Sequence, residues 1–405
     1  MRKVHAKNQI RRNLIMRALL ERREISLSEL ARETGISLPM VSQIVASEKG
    51  GQFIRTREEH ELDRAGRPPI LARLNGDAGF VVGIDLGHLN TNIIVLNLAK
   101  EVVAERHVAS AKLGNDPRLI DWLKRQVALV VSQEKLRMDR LLGVGVSIPG
   151  IVRGREGVSE SYMNFNGKPV RDILIEQFEK PVHVEHDAKA MALGERWFGA
   201  ARNASHALCL NVGWGLGLGI IVEGRLLYGR DGYAGEFGHI EAVRDGRLCY
   251  CGRRGCLETV ASGRAIAELA RERLTSGAVS RLTHTVGGKL DDVSTQLVVE
   301  AALSGDQFSI ELLDQVGRHL GTGIATLINL FNPEVVVVGG RVAGAGQFIL
   351  NPIRTGATQQ SHVKLGRDVK FVISQLGAKA GALGVAMLAA KDLFEVEHLN
   401  PSAFV

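Results

Sequence analysis

No stretch of this sequence approaches the roughly 18 uncharged apolar residues that a membrane-spanning helix needs. The opening residues, MRKVHAKNQIRRN, also lack the apolar stretch of a secretory signal. Both absences argue against membrane insertion and export, and a cytoplasmic protein is expected. Cysteine is scarce: there are four, three of them gathered at 249, 251 and 256. So few and so bunched, they do not read as a disulfide framework. In a reducing compartment such a cluster points to metal ligation. Apolar side chain is plentiful at 45% of residues, and the length of 405 residues leaves room for large cores. A chain of that size divides into roughly two or three domains.

The charge is uneven. The net value is +7, and residues 1–75 hold 15 Lys and Arg against 9 Asp and Glu, so six of the seven positive charges lie there. A basic leading module on a near-neutral body points to a nucleic-acid partner; the plainer alternative is a solvated basic face. The local pattern favours the partner. QIRRNLIMRALLER (9–22) sets Ile10, Leu14, Ile15, Ala18 and Leu19 on one helical stripe. Ser26 with Glu29 makes a capping box that starts a second helix, and Gly35 ends it. Ser37 can cap a third helix with Pro39 in its first turn. Val41, Ile44 and Val45 then face inward, leaving Met40, Ser42 and Gln43 outward.

Small residue, glycine and apolar pair at this spacing match a helix-turn-helix. The third helix would enter the major groove, with Ser37, Met40, Ser42 and Gln43 at or near the DNA. QFIRT and ILARL read as the two strands of a wing, and AGRPP (65–69) between them can present Arg67 on a stiff turn toward phosphate or the minor groove. The same stretch also serves as an interdomain linker.

From residue 80 the text changes. FVVGIDLGHLNTNIIVLNL (80–98) is strand, tight turn, strand, with Asp85 just before Gly87. LLGVGVSIPGIV (141–152) is a buried strand ending in a Pro-Gly turn, and PVHVEHDAKAMALGERWFG delivers Asp187 to a helix start. HALCLNVGWGLGLGIIVEGRLLYG (206–229) repeats the pattern of 80–98, and PEVVVVGGRVAGAG is another buried strand with a glycine turn. Two similar halves imply a duplicated α/β fold with a cleft between lobes. The expected division is 1–75 as a winged helix-turn-helix, 76–190 as the first lobe, and 191–405 as the second. His239, Cys249, Cys251 and Cys256 make a four-ligand set suited to tetrahedral zinc with no position open for water, so a structural ion is expected. Cys209, in an apolar strand, reads as buried bulk.

AGEFGH (234–239) together with CYCGRRGCLE (249–258) resembles the ROK family of repressors and sugar kinases, and the resemblance covers essentially the whole chain. It implies an actin/hexokinase-like (ribonuclease H-like) ATPase fold, a branch of transcription regulators that carry an N-terminal winged helix, and the same four zinc ligands. It implies further that Asp187, the general base of related kinases, contacts a sugar, and that Glu236, His239 and Glu258 hydrogen-bond the sugar ring. His239 would then hold zinc through one nitrogen and face the sugar with the other. Gly150 lies across the cleft, and Asn164 and Asn166 of SYMNFNGKP are further candidate contacts. Where kinases of the family have Asn before the base, this chain has His186, which joins the candidate sugar site.

Family kinases clamp ATP phosphates with two glycine turns. The first carries Gly-Thr where this chain has His88-Leu89, and the second reads Gly-Thr-Gly where this chain has Gly213-Trp214-Gly215. Both hydroxyls are gone and bulk has replaced them, which should cripple phosphoryl transfer. The reading is a sugar-responsive repressor, a homodimer or homotetramer on a pseudo-palindromic operator, with a monosaccharide or derivative as effector. A sugar kinase and a repressor released by a protein partner are the alternatives.

Overall fold

The computed structural model describes residues 2–50, 53–58 and 69–394. Helix α1 (Arg2–Glu21) leads through strand β1 (Ile25–Ser26) into α2 (Leu27–Thr34) and α3 (Leu38–Gly50). The capping box forms: Ser26 Oγ accepts from the Glu29 amide, and Glu29 reaches back to the Ser26 amide. Gly35 ends α2 at φ 68°. Strands β2 (Ile54–Glu58) and β3 (Ile70–Leu74) pair antiparallel, and β1 joins β3 to complete a three-stranded sheet. Ile15, Leu19, Leu30, Val41, Val45 and Ile54 fill the core of this winged helix-turn-helix.

The first lobe is built on β4 (Phe80–Leu86), β5 (Asn90–Asn97), β6 (Val102–Ala109), β7 (Leu141–Ile148) and, beyond a short ribbon of β8 (Val152–Arg153) and β9 (Val158–Ser159), β10 (Val182–His186). Their sheet order is β10-β7-β4-β5-β6. The second lobe uses β11 (Ala207–Val212), β12 (Leu216–Val222), β13 (Arg225–Leu226), β14 (Val335–Gly339) and β15 (Lys370–Ile373) in the order β13-β12-β11-β14-β15. In each sheet the first strand is central, two strands joined by antiparallel pairing lie to one side and two joined by parallel pairing to the other. This is the duplication that the repeated glycine turns predict.

Helices α4 (Arg118–Gln133) and α5 (Val170–Phe178) cover one face of the first sheet. The second sheet has one face buried by a larger helical layer: α7 (Glu258–Ala261), α8 (Gly263–Thr275), α9 (Leu282–Thr285), α10 (Thr295–Leu303), α11 (Gln307–Phe331) and α12 (Gln347–Gln360), with short α13 (Val363–Gly366) beside them. Two helices fill the space between the sheets. Helix α6 (Asp187–Phe198) packs on β11 and β12, and α14 (Ala380–Asp392) packs on β4 and β7. The boundary at residue 190 falls inside α6, and α14, which follows the last strand of the second sheet, returns to the first lobe. Eleven consecutive residues of α14, Ala380 to Ala390, are buried, which small side chains permit between a sheet and a second helix.

Candidate functional site

His239 ends a short turn of 3-10 helix (Phe237–His239), and the three cysteines follow on a loop in which Gly252 and Gly255 turn at φ 87° and 75°. A Cβ at Gly255 would lie 1.8 Å from the Val243 carbonyl oxygen, so no larger residue fits that turn. The four ligand atoms lie within 4.8 Å of one another. Cys249 Sγ is 3.6 Å from His239 Nδ1, and Cys251 Sγ is 3.6 Å from Cys256 Sγ. Tetrahedral zinc, with bonds of about 2.3 Å to sulfur and 2.0 Å to nitrogen, sets its ligands about 3.5–3.8 Å apart. The donor set therefore fits zinc in both chemistry and spacing. Nδ1 is the nitrogen turned to the thiols. Nε2 points away, 3.0 Å from the Tyr250 hydroxyl and 3.8 Å from a Glu236 oxygen.

The acids gather beside it. Asp187 opens α6, where the positive end of the helix dipole favours a carboxylate. Its Oδ1 accepts from the Ala188 amide at 2.6 Å, and its Oδ2 accepts from Asn211 Nδ2 at 3.3 Å. His186 Nε2 lies 3.2 Å from Oδ1, while its Nδ1 is buried without a partner. Glu258 is 6% exposed and accepts the Leu216 amide at 3.0 Å, so one of its oxygens already steadies the second glycine turn. Glu236 is exposed. Buried Lys189 donates to the Gly232 carbonyl at 2.6 Å and is held below the ordinary lysine value by burial, partly offset by Glu185, Glu236 and Asp187. Gly150 turns at φ 88° on the first-lobe side. Asn164 spends its carboxamide oxygen on the Gly167 amide, and Asn166 is an exposed turn residue at φ 55°. Among the described residues neither asparagine hydrogen-bonds the second-lobe acids.

The alternating glycines of 213–219 divide into two roles. A Cβ at Gly217 would meet Ala188 Cβ at 2.6 Å, and one at Gly219 would meet Ala192 Cβ at 2.3 Å. These two are absent side chains that let α6 lie on β12. Only Gly213 and Gly215 belong to the turn, around Trp214. The first turn holds Asp85, which accepts from Ser147 Oγ at 2.5 Å; burial, opposed by that bond and aided by Asp187, pushes its carboxyl up to about 7.

In the leading module Ser37 and Gln43 are exposed and Ser42 is half-buried. Met40 packs against the module's core instead of facing freely outward, because it lies four residues before buried Ile44 and so shares its side of the helix. Arg67 lies outside the described residues.

The sequence profile of the ROK family matches residues 81–392. The chain belongs to the ROK family. A xylose repressor from Caldicellulosiruptor bescii is 30% identical over 393 residues, covering 95% of this chain and 96% of that one. A glucokinase from Halalkalibacterium halodurans is 32% identical, covering 79% of this chain and 97% of the kinase. Among solved structures, a ROK family transcriptional regulator described as a homologue of the Escherichia coli MLC protein superposes with a TM-score of 0.79 at 26% identity, covering 96% and 98% of the two chains. A ROK family glucokinase from Streptomyces griseus, in complex with glucose and AMPPNP, superposes at 0.68 with 32% identity and covers 77% of this chain. The ROK body is thus shared with both kinds of relative, whereas the xylose repressor and the regulator structure match 95% and 96% of the chain. Sequence reasoning missed four residues that the fold brings to these groups: Ser147 at Asp85, Lys189 near Glu236 and Asp187, Asn211 at Asp187 and Tyr250 at His239. Each lies outside the signature stretches or reads as an ordinary strand, helix or loop residue until the fold brings it in. Among the described residues no helix is long and apolar enough to cross a membrane.

Proposed function

We propose that this protein is a transcriptional repressor of sugar-metabolism genes whose operator affinity is set by a monosaccharide, or a derivative of one, bound between the lobes at His186, Asp187, Glu236, His239 and Glu258. Gly150, Asn164 and Asn166 would face it from the first lobe. A structural zinc on His239, Cys249, Cys251 and Cys256 would stiffen the segment from Glu236 to Glu258. Operator DNA would meet Ser37, Met40, Ser42, Gln43 and Arg67, in a homodimer or homotetramer working in the cytoplasm. The chain is read as no enzyme, because the hydroxyls that would hold phosphate are replaced by His88-Leu89 and Trp214.

One observation carries the coupling of sugar to DNA. Helix α6 begins at Asp187 and ends beside Trp197, whose ring faces Lys100 Nζ at 5.5 Å. Lys100, on the turn between β5 and β6, donates to the Leu20 carbonyl at 2.7 Å and the Arg22 carbonyl at 3.2 Å, at the C-terminal end of α1. A shift of α6 on sugar binding is therefore felt where the DNA-binding module is anchored. Coupling of this kind requires the sugar to favour one lobe arrangement over the other.

The test is operator selection followed by fluorescence anisotropy with xylose, glucose and N-acetylglucosamine. The expected result is salt-dependent binding to a pseudo-palindrome and a change in affinity with one sugar. Lys100→Met should keep both binding reactions and shrink the effect of sugar on the operator about tenfold. Absence of specific DNA binding sinks the proposal. The kinase reading is favoured by the glucokinase match across the body, and phosphorylation of a sugar by MgATP would establish it.

A further inference from the structure

The second glycine turn ends in a tryptophan that the sugar site so far described does not use. Trp214 stands at the tip of the turn between β11 and β12, 51% exposed. Its ring is not loose: it lies 5.8 Å from the His88 ring at 37°, and His88 in turn meets Tyr162 edge-on at 5.4 Å. His88 and Tyr162 come from the first lobe and Trp214 from the second, so three rings in series join the two lobes. Burial holds the His88 imidazole below its ordinary value, partly offset by the Asp187 carboxylate.

The turn is tied to the sugar-binding acids at both ends. Asn211, on the strand leading into it, donates to Asp187, and Glu258 accepts from Leu216 on the strand leading out. From Asn211 to Trp214 is three residues, a reach of about 10 Å at most. His88, the ring beside Trp214, is near enough to Asp187 to feel its charge, so a ligand longer than one ring held at Asp187 comes within reach of the indole. If the rings served only to latch the lobes, the tryptophan would be covered; half of it is open.

We infer that Trp214, backed by His88 and Tyr162, is the platform of a second sugar subsite, and that the effector is an unphosphorylated disaccharide whose first ring sits at Asp187. The chemistry fits. The face of a pyranose that carries its axial C–H bonds is apolar and faintly positive, and it complements the negative face of an indole. Shape and ring stacking select such a ligand without any charge. A phosphorylated ligand is disfavoured, since its charge would meet the Asp187 carboxylate at the head of α6.

The inference rests on the repressor reading above, so the experiment separates the two. Isothermal titration of the full chain would compare xylose with xylobiose, glucose with cellobiose and maltose, and N-acetylglucosamine with chitobiose, in wild type and in Trp214→Ala. The subsite requires one disaccharide to bind at least tenfold more tightly than its own monosaccharide. Trp214→Ala should remove that advantage and leave monosaccharide affinity within about twofold. Trp214→Phe should restore part of it. A monosaccharide that binds as tightly as its disaccharide, or a preference that survives Trp214→Ala, overturns the subsite and leaves the repressor reading standing. Binding of operator with no sugar in the panel overturns both sugar control and the subsite.

Discussion

The two five-stranded sheets share one strand order, yet each is covered by the helix that follows the other's last parallel strand. Strand β10 ends the first sheet and leads into α6, which packs on the second. Strand β15 ends the second sheet and leads, through a short turn, into α14, which packs on the first. The lobes are thereby laced together by two helices that also pack on each other. Their tasks differ despite the common plan. The second lobe, with α6, supplies the acids and the metal ligands; the first supplies two of the three rings and the Lys100 anchor of the DNA-binding module. A signal between sugar and DNA must therefore cross between lobes, and the exchanged helices are the elements that span them.

The comparison can be broken most severely in the second lobe. Cys251→Ser should reduce bound zinc from one per chain to none, measured by atomic absorption. Loss of a structural metal ranks among the changes that cost more than about 4 kcal/mol. At about 2–4 °C per kcal/mol for domains of this class, Tm should fall by about 10 °C. Unchanged melting would remove the ion from the structural account.

A pH test probes the lacing of α14. His183 on β10 meets Asp392 Oδ2, in the last turn of α14, at 2.5 Å, with Glu185 at 4.0 Å on its other side. Burial alone would lower the imidazole, but the bonds to Asp392 and Glu185 outweigh it and push the pKa up to about 9. A folded-state value above the unfolded 6.5 stabilises fully below about pH 6.5, and the contribution is lost as pH rises through 9. Chemical denaturation from pH 6 to 10 should register a decline on the order of 2–3 kcal/mol from this site. Asp392→Asn should flatten that decline; an equally steep profile in the variant would detach His183 from it.

Asp187→Asn should weaken sugar binding about 10- to 100-fold, the range for losing a charged acceptor, while operator binding persists. Calorimetry and anisotropy on one preparation would check both, and retained sugar affinity would move the site away from α6. Gly219→Ala is the mildest change. Its Cβ would press on Ala192, at a cost of about 1–3 kcal/mol, with zinc content unchanged. A neutral effect in urea denaturation would mean that β12 and α6 have slack between them.

Legibility followed sequence separation. The winged helix was readable almost residue by residue, because capping, helix stops and apolar stripes are local signals, and Ser26, Glu29, Gly35 and Val41 act on near neighbours. The metal cluster was readable for the same reason, since its ligands lie within 239–256. Met40 is half-buried against the module's core, a contact that the local pattern does not announce. The glycines of 213–219 serve two ends, because Gly217 and Gly219 answer to α6, a neighbour that no local pattern announces. Lys189 and Asn211 stayed hidden for the same cause. Their meaning depends on Gly232 and Asp187, which the fold brings to them.

The sequence alone determined the elements of this protein, its repeated strand–turn–strand halves and a His and Cys set that could hold a metal. These depend on residue type and short spacing, which the chain carries directly. Tertiary structure decided the exchange of α6 and α14 between lobes, the line of rings from Tyr162 to Trp214, and the junction of Lys100 with Trp197 and the end of α1. Those contacts join segments tens to hundreds of residues apart. They exist only once packing, which depends on shape and is blind to order along the chain, has chosen which apolar faces meet.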